Sequence, residues 1–243
     1  ILKNFNNISI EADKRLINLF NNSFDKNVFY PEGYYSDNKI NLDFDYIIYA
    51  GSFLKQFRKN KKYFSNKNYL IPDEKITKDI KNQLFDYRKK TKIGISWKSV
   101  LNIFGKLKSL NLNDFLPIFN NNRIIINLQY GNVLNEINDF NQNKHELFHF
   151  NNIDLFNDID SCASLLSNLD VFVTVSNSTA HIAGAIGIPT ILICPSKSTT
   201  YYYWNTENEN SIWYKNIKVI SLDESISKTF LKINKFISQY ENL

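Results

Sequence analysis

The chain is short of the residues that label many protein classes. It contains no methionine, two cysteines, three histidines and seven glycines among 243 residues. Cys162 and Cys194 sit in apolar surroundings and follow no metal-site or secreted-framework spacing, so they read as reduced core thiols of a cytosolic protein. Neither G-x-G-x-x-G nor a P-loop occurs, which excludes the dinucleotide fingerprint and the Walker-type phosphate loop. No apolar run reaches membrane-spanning length, and no charged start leads into an apolar segment of signal-peptide type. Arginines do not gather with stacking aromatics, so the formal charge of +5 and the pI near 8.9 do not read as a nucleic-acid surface. The excess is mostly lysine scattered among asparagine and isoleucine. With so little glycine and no methionine, that composition carries the imprint of an AT-rich genome more than of a function.

What is present suffices for a globular fold. Apolar residues make up 43% and aromatics 15% of the chain, enough for one large domain or two small ones. The first residue is Ile, which suggests a fragment that begins upstream. From about residue 92, short β-branched runs alternate with helical periods, the pattern of a parallel sheet with crossover helices. The expected strands are "KIGISW" (92–97), "RIIINLQY" (123–130), "ELFHF" (146–150), "VFVTVS" (171–176) and "PTILICP" (189–195). A helix is expected over 158–169, with Ile159, Cys162, Ala163, Leu166 and Leu169 on one face. Before residue 91 the spacing predicts a helix near 11–23, strands at "NVFYP" and "FDYIIYA", and an amphipathic helix from Asp73 carrying Ile76, Ile80, Leu84 and Tyr87. The tail places Ser221 and Glu224 in capping-box spacing ahead of Ile226, Phe230, Ile233, Ile237 and Tyr240, which predicts a docked helix.

Two short motifs invite metal chemistry. His145, Glu146 and His149 match H-E-x-x-H, which chelates zinc only when a helix puts both imidazoles on one face. Turn-favouring "NQNK" and "NNID" flank it, so a strand is expected and no metal site. The D-x-D triplets at Asp43/Asp45 and Asp158/Asp160 carry little, because the second sits in a helix's first turn, where acids complement the dipole.

Ligands of open parallel sheets bind beyond the carboxyl ends of the strands. After "VFVTVS" comes "NSTAHIAGAIGIP", which bunches Ser176, Asn177, Ser178 and Thr179 at a helix N-terminus, with His181 one turn in. Free N–H groups and a partial positive charge there favour an anion such as phosphate, although the same residues also serve as plain helix caps. Ala183, Gly184, Ala185 and Gly187 keep the helix slim. After the first strand, Lys98, Ser99, Lys106, Lys108 and Ser109 lie on a polar loop suited to a diphosphate. Gln129 and Tyr130 end the second strand, before Gly131. Trp213 and Tyr214 are candidates to close a cleft, or else core packing.

The stretch from "LFNDIDSCASLLSNLDVFVTVSNSTAHIAGAIGIPT" to "SIWYKNIKVIS", with "KIGISWKS", "KSLNL" and "NLQYG", resembles the C-terminal half of bacterial GT-B glycosyltransferases of the heptosyltransferase type. More closely it is similar to the glycosyltransferase domain that follows tetratricopeptide repeats in many bacterial proteins. The resemblance implies an α/β fold: a Rossmann-like parallel sheet with flanking helices over 91–222, a partial N-terminal α/β domain over 1–90, and a docking helix over 223–243. It implies inverting, metal-independent sugar transfer without a cofactor, from a nucleotide-sugar donor to an unidentified glycan, lipid-linked sugar or protein. The expected location is the cytoplasm, at the periphery of the inner membrane, with no nucleic-acid partner. Lys98, Ser99, Lys108, Gln129, Ser176, Asn177, Ser178, Thr179 and His181 would line the donor site, with Lys108 as the phosphate lysine. Ser176 stands where the heptosyltransferases usually carry Asp. The family's Gly-rich loop with its acidic base has no counterpart, so the base is expected upstream of Ile1 and these residues alone bind donor without turnover. The alternative is a non-catalytic nucleotide or sugar-phosphate binding module of the same fold.

Overall fold

The computed structural model describes residues 8–24, 28–39, 45–64, 67–100, 105–143, 145–195, 202–204, 206–222 and 225–241. The N-terminal part comprises β1 (Ile10–Ala12), α1 (Ile17–Ser23), β2 (Phe29–Pro31), α2 (Tyr34–Asp37), α3 (Ala50–Phe57) and α4 (Glu74–Gln83). The sheet and its helices follow as β3 (Thr91–Ser96), α5 (Gly105–Lys108), β4 (Arg123–Asn127), α6 (Leu134–Gln142), β5 (Leu147–Phe148), α7 (Ile159–Leu166) and β6 (Val171–Val175). Then come α8 (Ser178–Ile186), β7 (Thr190–Cys194), β8 (Thr206–Glu207), β9 (Asn210–Ser211), β10 (Ile217–Ser221) and α9 (Ile226–Ile237).

Six strands pair in parallel in the order β5-β4-β3-β6-β7-β10, and the short β9 and β8 extend the β10 edge antiparallel. Counted along the parallel strands, this is the doubly wound order 3-2-1-4-5-6, whose direction of winding reverses between β3 and β6. β4, β6 and β7 are buried at every residue, as β-branched runs covered on both faces must be. One face packs Ile124, Ile126, Leu128 and Phe172 under Leu165 and Leu166 of α7, with Ile80 of α4 and Leu19 of α1 in the same core. The other packs Ile93, Ile95, Val171, Val173 and Ile191 against Phe115, Ile137, Phe140, Phe230 and Ile233. Burial holds the Cys162 thiol protonated, pushed up to about 12, which makes it an inert core group.

Asp158 caps α7 by accepting from the Ser161 N–H at 2.9 Å, and Asp73 caps α4 by accepting from the Ile76 N–H at 2.8 Å. Expectation and structure part in the tail. Ser221 is the last residue of β10, paired in register with Cys194, so it cannot cap a helix. Ser225 caps α9 instead, accepting from the Lys228 N–H, and Glu224 lies outside the described residues. Within "ELFHF" only Leu147–Phe148 form a strand, β5, paired with β4. "FDYIIYA" forms none: residues 45–49 lie in no strand, and Tyr46, Ile47 and Tyr49 are 85%, 82% and 84% exposed. β-Branched and aromatic character makes a strand only where a ladder partner exists. Asp43 lies outside the described residues, as do positions 101–104 of the lysine-bearing loop.

Gly184 sits where α8 meets the edge of the sheet. A methyl group there would fall 2.5 Å from Cγ of Tyr214 and 2.8 Å from Cδ1 of Ile217. Gly184→Ala should therefore cost about 1–3 kcal/mol of stability through overpacking, read as a lower urea midpoint at unchanged slope. Gly187 ends α8 at φ +103°, a left-handed cap that a side chain would strain.

Candidate functional site

The carboxyl ends of β3, β4 and β6 converge at the winding reversal, and their polar side chains bond to one another there. Gln129, 2% exposed, is the hub. Its Oε1 accepts from Ser96 Oγ at 3.0 Å, the Trp97 N–H at 2.9 Å and the Lys98 N–H at 2.6 Å, while its Nε2 donates to the Tyr130 carbonyl at 2.9 Å. Asn127 closes a second loop, accepting from the Gln129 N–H at 2.9 Å and meeting His149 Nδ1 at 3.0 Å. Across the reversal, Asn177 donates through Nδ2 to Ser96 Oγ at 2.8 Å and to Thr174 Oγ1 at 3.2 Å. The crevice thus has a buried floor in which Gln129, Ser96, Asn177 and Thr174 form one connected set. Such a network holds its geometry because each buried group would be costly to leave unpaired.

Asn177 also caps α8, with Oδ1 accepting from the Ala180 N–H at 3.1 Å. Helix geometry leaves the N–H groups of Ser178 and Thr179 outside the ladder at this end. Ser178 is exposed, and a hydrogen bond to it partly offsets the upward push that burial gives the Tyr130 phenol. Ser176 is buried and accepts from the Trp204 indole N–H at 2.9 Å. Trp204 in turn stacks on His181, with ring centroids 4.4 Å apart and planes 18° from parallel. His181 shares a 3.2 Å hydrogen bond with Tyr214 through Nδ1, and Tyr203 adds a T-shaped contact at 5.1 Å.

Enclosure by these rings lowers the His181 pKa to about 4 by desolvation, so at neutral pH it offers a neutral imidazole and not a cation. The linkage sign is clear: the folded pKa lies below the unfolded value near 6.5, so this contribution to stability is present above 6.5 and is lost as pH falls toward 4. We expect the denaturant midpoint to drop between those limits and the drop to shrink in His181→Phe. Desolvation also lowers the pKa of His149, so His149→Phe is the parallel control.

Beyond β3 the loop opens a cleft of about 550 Å³ lined by Lys98, Ser99, Lys106, Ser109 and Asn111, among others. Lys98 pairs with Glu136 on α6 at 2.5 Å, and the other oxygen of that carboxylate accepts from the Trp97 indole at 3.1 Å. The Ser99 N–H donates to Ser109 Oγ at 3.0 Å, and that hydroxyl donates to the Gly105 carbonyl at 2.7 Å. Lys108 is 2% exposed, with its side chain engaged by the surrounding fold, whereas Lys106 lines the cleft. The structure thus joins the Lys98 N–H, Gln129 and Asn177 through Ser96 at the strand ends, links Ser176 to His181 through Trp204, and leaves Ser178 exposed at the start of α8. It buries Thr179 and Lys108, each 2% exposed, and puts Ser99 on the cleft wall.

Tyr214 is core to the His181 cluster, and Trp213 meets Phe64 edge to face at 4.9 Å. His145 lies against the Phe140 ring at 5.0 Å while His149 faces Asn127. Among the described residues no group of three or more His, Cys, Asp or Glu side chains is placed to hold a metal ion. Glu136 and Trp204 escape sequence reading, since neither belongs to a local motif.

No family profile matches the chain. Over 175 residues it is 30% identical to the protein FlbA of Caulobacter vibrioides, a match covering 66% of this chain and 28% of FlbA. Among solved structures it is similar to the family 9 glycosyl transferase of Veillonella parvula DSM 2008. That match has a TM-score of 0.51 and 10% identity and covers 76% of this chain and 50% of that one. The fold is that of the GT-B glycosyltransferases. The E. coli ADP-heptose lps heptosyltransferase II is also similar, with a TM-score of 0.49, 13% identity and coverage of 77% and 59%. The chain spans about half the length of these solved relatives and under a third of FlbA. Among the described residues no helix is long and apolar enough to cross a membrane.

Proposed function

We propose that the chain is the donor-binding part of a GT-B type glycosyltransferase, with the diphosphate of a nucleotide sugar received at the N-terminus of α8. One observation carries the reading: the polar floor spanning the winding reversal, where Asn177 bonds Ser96 of the neighbouring strand and caps α8 at once. That arrangement fixes the helix end at the position where doubly wound sheets bind ligands and aims free N–H groups into the crevice. Residues 91–222 form the donor domain in this reading, residues 1–90 part of the acceptor side, and 223–243 a helix docked on the donor domain.

Transfer is inverting and metal-independent in this account. Helix N–H groups and the Lys98 ammonium stabilise the departing diphosphate, and a neutral His181 shapes the wall. The base that deprotonates the acceptor hydroxyl is not assigned among residues 1–243. The acceptor is a glycan, a lipid-linked sugar or a protein. Titration calorimetry with nucleoside diphosphates, their sugars and the parent nucleosides tests the reading. Diphosphates should bind far more tightly than nucleosides, with affinity unchanged by EDTA, and equal affinities would remove it.

A second reading, a non-catalytic nucleotide-sugar module, draws support from Glu136. That carboxylate beside the cleft is occupied by both Trp97 and Lys98. Donor binding without sugar release to water or to any supplied acceptor would favour it.

A further inference from the structure

We propose that residues 45–64 form a docking surface for an anionic lipid bilayer. Tyr46, Ile47, Ile48 and Tyr49 are consecutive and 85%, 82%, 53% and 84% exposed. Singly exposed apolar residues are ordinary, but four in a row mark an interaction site. At the other end of α3 the chain turns through Arg58, Lys59, Lys61 and Lys62, of which the three lysines are exposed. These four basic residues stand against the single Asp45 in the described stretch 45–64.

The turn is held in place. The Arg58 guanidinium lies over the Phe64 ring at 5.2 Å and bonds the Tyr63 carbonyl, and Phe64 packs edge to face on Trp213 of the main domain. An eight-residue helix is about 12 Å long, so the apolar quartet and the basic turn lie within roughly a Debye length of one another.

The two features together select a partner. Tyrosine flanking isoleucine suits the boundary between headgroups and acyl chains, where the rings keep their hydroxyls wet and the aliphatic side chains leave water. Lysines snorkel to headgroup phosphates and add electrostatic attraction, and an apolar signal joined to a polybasic one is what reversible anchoring requires. A nucleic acid would use the lysines and stack on the tyrosines but leave Ile47 and Ile48 in water. A second copy of the chain docked on the same face would bring two patches of like charge together.

The test is co-sedimentation of the full 243-residue chain with vesicles of phosphatidylcholine, alone or mixed with phosphatidylglycerol. The chain should sediment with the anionic vesicles, far less with neutral ones, and less as salt is raised. At about fivefold per cation, Lys59→Ala with Lys62→Ala should weaken binding roughly 25-fold. Ile47→Asp with Ile48→Asp should abolish it, and the exposure of both positions leaves the thermal melt unchanged. Equal binding to both vesicle types, no binding to either, or unaltered binding by both variants overturns the proposal. So does RNA binding by fluorescence polarisation that depends on the lysines while vesicle binding does not. A dimer dispersed by the Ile47 variant while vesicle binding persists overturns it in favour of self-association. None of these outcomes depends on the α8 crevice.

Discussion

Replacing Gln129 with methionine should lower the free energy of unfolding by about 3–5 kcal/mol, although the two side chains are close in volume. The amide oxygen accepts from one hydroxyl and two backbone N–H groups, those of Ser96, Trp97 and Lys98, at 2.6 to 3.0 Å. A thioether accepts weakly and leaves these donors at the end of a strand with no replacement, and each buried orphan costs about 1–3 kcal/mol. The loss of the Nε2 bond to the Tyr130 carbonyl adds to the total. Ser96 is also the acceptor for Asn177, so freeing its hydroxyl should loosen the α8 cap as well. Chemical denaturation monitored by tryptophan fluorescence checks this, because Trp97 lies in the same strand end. Gln83→Met on the exposed side of α4 is the control and should change stability by about 0.5 kcal/mol or less. A loss below about 1 kcal/mol in Gln129→Met would mean that water replaces the hub, and the floor would then not be a rigid element.

The contrast between Gln129 and its neighbours shows which parts of this molecule a sequence can disclose. Five of the six parallel strands are legible, β3, β4, β6 and β7 as β-branched runs and β5 by its place in the alternation, while β10 is not among the expected strands; α7 is legible because its apolar face repeats at three and four. Their order across the sheet is not legible, since alternation of strand and helix fits several doubly wound arrangements and only the β3–β6 pairing selects this one. The tail went astray because Ser221 and Glu224 satisfy a local capping rule that a non-local fact overrides, namely that β10 stays paired to β7 through Ser221. "YIIY" fits a strand by propensity, yet propensity supplies no ladder partner.

The candidate site divides along the same line. Ser176 to His181 announce themselves because a polar cluster at a strand–helix junction is contiguous. Glu136 and Trp204 do not, because their contacts lie 39 and 28 residues away. The sequence places His181 one turn into the helix among the expected donor-site residues, whereas the stack with Trp204 and the contact with Tyr214 make it a desolvated, neutral wall. That difference moves the weight of anion binding from the imidazole to the backbone of α8.

The substitution that isolates the backbone is Ser178→Pro, which should weaken nucleoside diphosphate binding roughly ten- to hundredfold with little change in stability. Proline fits the first helical position, where its fixed φ matches the helix and the missing N–H has no partner within the ladder. The preceding residue must be extended, and Asn177 already is, at φ −148° and ψ 178°. The change therefore removes one N–H aimed at the crevice while Asn177 keeps its bonds to Ser96, Thr174 and the Ala180 N–H. Ser178→Ala separates the hydroxyl from the N–H: it keeps the backbone donor, so it should bind within a few-fold of the parent. If the N–H groups of α8 hold the diphosphate, the proline variant loses affinity for diphosphates and keeps whatever affinity it has for the nucleoside. Calorimetric titration of both variants, beside thermal melts that establish folding, reads the two effects apart. Undiminished diphosphate affinity in a folded Ser178→Pro protein would move the anion site away from α8, and Lys98 and Lys106 on the neighbouring cleft would be the next residues to change.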